Sequence, residues 1–383
     1  MQTLLRLFAA LLALSALGCA TSRPSLPTNS TRVPMRLFGN LPFVKVEIAG
    51  RQHEFLLDTG ASDCVVTPDL ARSLGLPISR EKVMVKSAAG DHVPIPLTVL
   101  PAMRIGASEF RNVACFVHDC SNIRQTFSNL EGVVGFNIFS KALLTLDYPR
   151  REVVISPWVP LQRGEPDSVE MRMGSGVPQI PVRSARRAMF VDVDSGSTGG
   201  MEIDPYRLGV GTTAAPQPGG LSTSISKTYR TGMARVAGPL FIGRVELDSP
   251  IVEVTRGEPR IGGEILQNLI LTFDQPSRLA HISFGTRKLL GMGASHKLVS
   301  PSRVGTGVGF DRNWNVHDIV PGSAAARAGI RTGDQCVLIM GRPAVEWEGS
   351  YSDLLATAQF IDYRFFRKGR SYDVRVPVLT QVQ

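Results

Sequence analysis

Phe55-Leu56-Leu57-Asp58-Thr59-Gly60-Ala61-Ser62 is answered by Phe190-Val191-Asp192-Val193-Asp194-Ser195-Gly196-Ser197-Thr198, with Asp58 and Asp194 136 positions apart. Two more blocks recur in the same order. Arg104-Ile105-Gly106-Ala107-Ser108-Glu109-Phe110 faces Phe241-Ile242-Gly243-Arg244-Val245-Glu246-Leu247 at an offset of 137. Leu144-Thr145-Leu146-Asp147-Tyr148-Pro149, within 135–151, faces Leu271-Thr272-Phe273-Asp274-Gln275-Pro276, within 262–278, at an offset of 127. A lone Asp-Thr/Ser-Gly tripeptide arises by chance roughly once in several chains of this length. Three ordered blocks at a nearly constant offset indicate a duplication. The period, about 130 residues, is far too long for a stacked solenoid, so residues 35–285 read as two copies of one half-domain.

Local patterning says what each copy contains. The alternation in Leu41-Pro42-Phe43-Val44-Lys45-Val46-Glu47-Ile48 predicts a half-buried strand, and Ala49-Gly50-Arg51-Gln52 a turn, so the next strand carries Asp58 to its end. Pro68 opens and Gly75 stops a short helix over 68–74, which Asp204-Pro205-Tyr206-Arg207-Leu208-Gly209 repeats loosely. With 37 Gly and 26 Pro the chain has the turn residues of a mainly β protein. In an Asp-Thr-Gly turn, Gly lets the chain bend beside the carboxylate, and the small hydroxyl can reach the opposite copy. Two such turns about a pseudo-two-fold axis bring two carboxyls to one water, and like charges about 3 Å apart cannot both ionise. One acid then takes the water's proton while the other donates to a carbonyl. The candidate catalytic residues are therefore Asp58 and Asp194, supported by Thr59, Gly60, Ser195, Gly196 and Ser197.

On these motifs residues 35–285 resemble an aspartic peptidase of the pepsin and retropepsin clan in a single-chain, bilobed form. Asp58-Thr59-Gly60 and Asp194-Ser195-Gly196 match the catalytic motifs, and Val133-Val134-Gly135 matches the hydrophobic-hydrophobic-Gly motif. In the second half Arg260 replaces the apolar residue before Ile261-Gly262. The resemblance implies two retropepsin-like half-domains, 35–160 and 161–285, forming a double-lobed acid-protease fold. It also implies endopeptidase activity on protein or peptide substrates with no cofactor and no metal. Members of the clan cover the cleft with hairpin flaps, and Ala88-Ala89-Gly90-Asp91 and Arg230-Thr231-Gly232-Met233 read either as flap turns or as plain surface hairpins. Residues 211–226 read as a loop without a counterpart in the first half. Ala61 stands where pepsin-like motifs often carry Ser, whereas the second copy has Ser197, so Asp58 loses a hydroxyl donor. The dyad is expected to titrate less acidically than in digestive pepsins, with an optimum at roughly pH 4 to 6.

Residues 286–302 read as a connector. The segment Arg303-Val304-Gly305-Thr306-Gly307-Val308-Gly309-Phe310 fails as a nucleotide loop, because Phe310 occupies the third Gly position and no Lys-Ser/Thr follows. Together with Val316-His317-Asp318-Ile319-Val320-Pro321-Gly322-Ser323, Gly333-Asp334 and Ile339-Met340-Gly341, it resembles a PDZ domain, a small α/β module here spanning 303–380. The resemblance implies that Gly307, Val308, Gly309 and Phe310 offer N–H groups to a peptide's terminal carboxylate, beside a helix over 350–360. Alternatively the module packs on its own protease as a regulator.

Residues 1–18 have the layout of a signal peptide, with Arg6 followed by the apolar run Leu7 to Leu14. Ser15-Ala16-Leu17-Gly18-Cys19 resembles a bacterial lipobox, which implies lipidation at Cys19, a membrane anchor and a periplasmic or cell-envelope location; ordinary cleavage after Gly18 is the rival reading. Residues 19–34 read as a tether. In an exported chain Cys64, Cys115, Cys120 and Cys336 either pair in one of three connectivities or stay buried thiols, and only Cys115 and Cys120 are close in sequence. None has metal-site spacing. The net charge of +9 is spread evenly: 15 basic against 12 acidic residues in 19–160, 16 against 13 in 161–299, and 10 against 8 in 300–383. No stripe or tail suits nucleic acid, and a monomer is expected. A serine-protease reading of Asp194-Ser195-Gly196-Ser197 lacks its other triad members. An inactive protease-like scaffold that presents the C-terminal module remains the alternative function.

Overall fold

Thr145 and Thr272, equivalent in the repeat, face each other at the centre of a six-stranded antiparallel sheet, their hydroxyls 2.8 Å apart. In this computed structural model, which describes residues 23–24, 29–120, 130–255, 257–284, 297–300 and 302–382, that sheet is shared by both halves. Its order is Ser168–Glu170, Leu279–Phe284, Leu269–Asp274, Ala142–Asp147, Glu152–Pro157 and Thr31–Pro34. The chain is mainly β.

Each half adds a sheet with the same local pattern. In the first, Arg51–Leu57 lies antiparallel to Leu41–Ile48 and parallel to Gly132–Val134, with Cys64–Val66 beyond. In the second, Ala188–Val193 lies antiparallel to Val177–Arg183 and parallel to Arg260–Ile261, with Met201–Ile203 beyond. The period-2 pleat sends alternate side chains to opposite faces. Phe55, Leu57, Val191 and Val193 enter one continuous core, and Phe136 meets Phe273 edge to face across the halves, 5.3 Å between ring centroids. The intervening residues Leu56 and Asp192 point to the other face, as do the acids at 58 and 194.

Several boundaries move from the sequence reading. The helix is Pro68–Ser73, capped by Thr67, whose side chain accepts from Leu70 N, with Pro68 in the first turn. Thr31–Pro34, assigned to a tether, is an edge strand of the shared sheet, because its alternate residues Thr31 and Val33 are buried. Lys297–Val299, assigned to the connector, pairs in parallel with Glu246–Asp248. Residues 1–22, with Cys19, lie outside the described residues.

Residues 303–382 have a separate core around Val316, Ile339, Ile361, Phe365 and Val376. Gln335–Ile339, Phe360–Arg367 and Arg370–Pro377 form its main antiparallel sheet. The helix expected over 350–360 is Tyr351–Thr357; it stops early because Phe360 already begins a strand whose alternate side chains are buried.

Candidate active site

Both acids follow the last residue of a strand and are fixed by the parallel neighbour: Asp58 N donates to Val134 O at 3.0 Å and Asp194 N to Ile261 O at 2.9 Å. The hydroxyl residues beside them are exchanged between halves. Thr59 N donates to Ser195 Oγ at 2.9 Å and Ser195 N to Thr59 Oγ1 at 3.1 Å. Ser195 Oγ donates in turn to Leu57 O at 2.8 Å, and Thr59 Oγ1 to Val193 O. Both side chains are buried, so these four bonds are unscreened by water and lock the two turns to each other.

This lock explains the glycines. A Cβ on Gly60 would lie 2.5 Å from Asp194 Oδ1, and one on Gly196 would lie 2.4 Å from the Asp58 carboxyl. Each turn therefore needs Gly because the opposite acid occupies the space. Gly60 N donates to Asp58 Oδ1 at 2.8 Å. The carboxyls are within hydrogen-bond reach of each other, and burial, then the charge of Asp194, pushes the Asp58 carboxyl up to about 8 against backbone donation from Gly60 and Ala61. Fully buried Tyr148 is close enough to feel both acids, and burial followed by their charge pushes its phenol far up.

Asp58 and Asp194 differ in what surrounds them. Ser197 does not serve the second acid as its position suggested; its Oγ accepts from Gly199 N at 3.3 Å. The outer oxygen of Asp194 is taken instead by Arg260, whose Nη1 donates to Oδ2 at 3.3 Å while Nη2 donates to Ala88 O at 2.9 Å. Arg260 Nε lies 3.3 Å from Glu202 Oε2, an ion pair without hydrogen-bond alignment. Asp192, bonded by Gln179 Nε2 at 2.8 Å, is pushed up to about 6, chiefly by burial. Burial likewise raises Glu202, opposed by Arg260. The sequence signal for this network was present: a charged residue at an apolar motif position, and Asp192 where the first half has Leu56.

Two hairpins meet over the acids. The first pairs Lys82–Lys86 with His92–Ile105 around a turn at 87–91, as expected. The second is shifted from the sequence reading. Arg230-Thr231-Gly232-Met233 lies inside the strand Thr228–Arg235, and the supposed loop 211–226 contains its partner Gln217–Thr223, so the turn is 224–227. Gly232 pairs with Pro218 there rather than turning the chain. The tips touch: Ser226 Oγ donates to Asp91 Oδ1 at 2.8 Å and lies 3.0 Å from Ser87 Oγ.

Gly307, Val308, Gly309 and Phe310 lie apart from the acids. Val308–Phe310 pairs with Val316–Ile319, and Phe310 packs among Trp314, Tyr351 and Phe365. Gly307, at φ +86°, leaves no room for a side chain, since a Cβ would lie 2.2 Å from Ser323. The strand beside this segment reaches the second hairpin, where Arg230 pairs with Asp318 and Arg230 Nη2 donates to Ile319 O at 3.4 Å. Cys64 is in register with Cys115 rather than Cys115 with Cys120; Cys64, Cys115 and Cys336 are buried thiols. Cys64 Sγ accepts from Gly135 N at 3.4 Å. Among the described residues no group of three or more His, Cys, Asp or Glu side chains is placed to hold a metal ion, and no helix is long and apolar enough to cross a membrane.

Among known proteins, one family model matches part of the first half. No curated protein matches the chain. A solved structure, a retropepsin-like aspartic protease from Rickettsia conorii, matches with 18% identity over 35% of this chain and 95% of its own, at a TM-score of 0.25. Residues 44–138 match the family model described as aspartyl protease. Asp58, Thr59, Gly60 and the Val133-Val134-Gly135 segment all fall within that matched segment.

Proposed function

We propose that the chain is an exported aspartic endopeptidase that hydrolyses peptide bonds with Asp58, Asp194 and an activated water. The observation that carries this is the reciprocal Thr59–Ser195 lock, which holds two Asp-Thr/Ser-Gly turns so that their carboxyls share one space. A buried pair of this kind holds one proton between two acids. The ionised carboxyl takes a proton from water as the water oxygen bonds to the substrate carbonyl carbon, and the protonated carboxyl gives its proton to the carbonyl oxygen. Collapse of the resulting gem-diol returns one hydroxyl proton to the second acid and breaks the C–N bond. The leaving nitrogen takes the proton held by the first, which restores the starting state.

The two hairpins act as flaps, and substrate entry requires their tips to part at Ser226, Ser87 and Asp91. The C-terminal unit is PDZ-like; it binds peptide C-termini at Gly307 to Phe310 or regulates the protease, and Arg230–Asp318 favours regulation through the second flap. Lipidation at Cys19 anchors the mature protein to the cell envelope. Digestion of a proteome-derived peptide library by the mature protein, with and without a statine-type transition-state mimic, tests the activity. Inhibitable internal cleavage is the expected result, and no cleavage between pH 3 and 8 would refute the reading.

A further inference from the structure

Five adjacent strands carry a row of equivalent residues on the face of the acids. In the first half the row is Phe43, Leu56, Val133, Val65 and Phe116. In the second it is Gln179, Asp192, Arg260, Glu202 and Glu253. Packing alone is satisfied by valine at the position of Arg260, because Val133 fills it in the other copy, 4% exposed and against Leu41, Phe43 and Leu56. A guanidinium held 8% exposed there therefore requires an electrostatic reason.

We propose that Arg260 is a positioning residue of the dyad: paired with the outer oxygen of Asp194 and with Ala88 O of the first flap, it makes Asp194 the base and leaves the shared proton on Asp58. The proposal rests on the peptidase reading and assigns the two roles that reading leaves open. The other groups facing Arg260 are engaged in ways that leave Nη1 for Asp194. Glu202 lies on Nε. Asp192 is taken by Gln179. Glu253 accepts from Ser222 Oγ at 3.1 Å and Thr231 Oγ1 at 2.8 Å on the second flap. Glu258 pairs with Lys86 of the first flap. Tyr229, on the second flap, is a phenol that burial and then Glu202 keep protonated. Asp58, by contrast, receives backbone N–H groups from Gly60 and Ala61 and has a carboxyl, not a cation, as its charged neighbour. A cation within ~4–6 Å favours the ionised form of the acid it faces, and burial limits screening of the pair.

The test compares wild type with Arg260→Met, which keeps an unbranched chain, Arg260→Lys, which keeps the charge, and Arg260→Gln, which keeps an amide donor should the methionine variant not fold. Carboxyl carbon NMR, assigned with Asp58→Asn and Asp194→Asn, reads where the proton sits without needing turnover. At the midpoint of the activity range, wild type and Arg260→Lys should give a carboxylate signal for Asp194 and an acid signal for Asp58. In Arg260→Met or Arg260→Gln the two signals should converge. In kcat/KM profiles the acidic limb should move up by about one pH unit in the uncharged variants and return in Arg260→Lys. Equal signals in wild type, or asymmetry and limb unchanged in the uncharged variants, would overturn the proposal. Absence of cleavage that depends on both acids would instead overturn the peptidase reading and leave the NMR result to decide the Arg260 assignment alone.

Discussion

The flanks of Asp58 and Asp194 occupy the same register in the two halves and are built from opposite chemistry. Beside Asp58, Leu56, Phe43 and Val133 form an apolar cluster with Leu41, Cys120 and Leu130. Beside Asp194 the equivalent residues form an ionic row, Asp192, Arg260, Glu202 and Glu253, tied to the first hairpin by Arg260 donating to Ala88 O and to the second by Ser222 and Thr231 donating to Glu253. Hydrophobic burial holds one flank at little risk. The other flank is costly to desolvate, and its pairing must be complete to be tolerated. Duplication thus preserved the Asp-Thr/Ser-Gly turns while the surroundings diverged, so a symmetric pair of acids sits in an asymmetric field.

Charge moved into the apolar flank should have the largest effect. Val133→Arg places an unpaired cation among Leu41, Phe43 and Leu56, and should cost about 3–5 kcal/mol, read by denaturant unfolding. The reciprocal change, Asp192→Leu, Arg260→Val and Glu202→Val together, which removes the cation with its buried partner Glu202, should be neutral or stabilising by about 1–4 kcal/mol while activity falls. Strong destabilisation by that triple change would show that the ionic row carries the fold. Thr59→Val removes both the acceptor of Ser195 N and the donor to Val193 O, and should cost about 2–4 kcal/mol. Ser195→Ala should add little on top of it if the lock acts as one unit.

A subtler prediction concerns pH. The folded state holds a proton on Asp58 up to about pH 8, whereas the unfolded chain releases it near pH 4, so the folded protein binds more protons in that window. Stability from this group is full below about pH 4 and is lost as pH rises toward 8. Asp58→Asn should flatten the decline in melting temperature over pH 4–8, and an unchanged slope would remove the carboxyl as its cause. The smallest expected effect is at the C-terminal unit: Arg230→Ala, which frees Asp318, should change kcat/KM by about 2- to 10-fold if the contact regulates the second flap. No change would assign the contact to packing only.

The repeat made the acids, their glycines and the first hairpin legible, because close approach to the opposite carboxyl admits only Gly and because a turn of Ala-Ala-Gly-Asp between alternating segments is a local signal. The second hairpin was misplaced by a short Gly-containing segment, since Gly232 is a strand residue and the true turn, Ser224 to Lys227, contains no Gly. Thr31–Pro34 was lost to the tether because a Ser/Thr/Pro-rich run hides an edge strand whose partner is over a hundred residues away. Arg260 was visible only as a departure from a motif; its partners Asp194 and Ala88 are brought to it by tertiary structure.

In the proposed function Asp58 and Asp194 perform the chemistry together. This joint role is tested most directly by cleavage of an unfolded protein by wild type, Asp58→Asn and Asp194→Asn, each verified as folded by circular dichroism. The account predicts that each variant keeps the β spectrum and loses at least ~10²–10⁴-fold in rate, and substantial activity in either folded variant would contradict it.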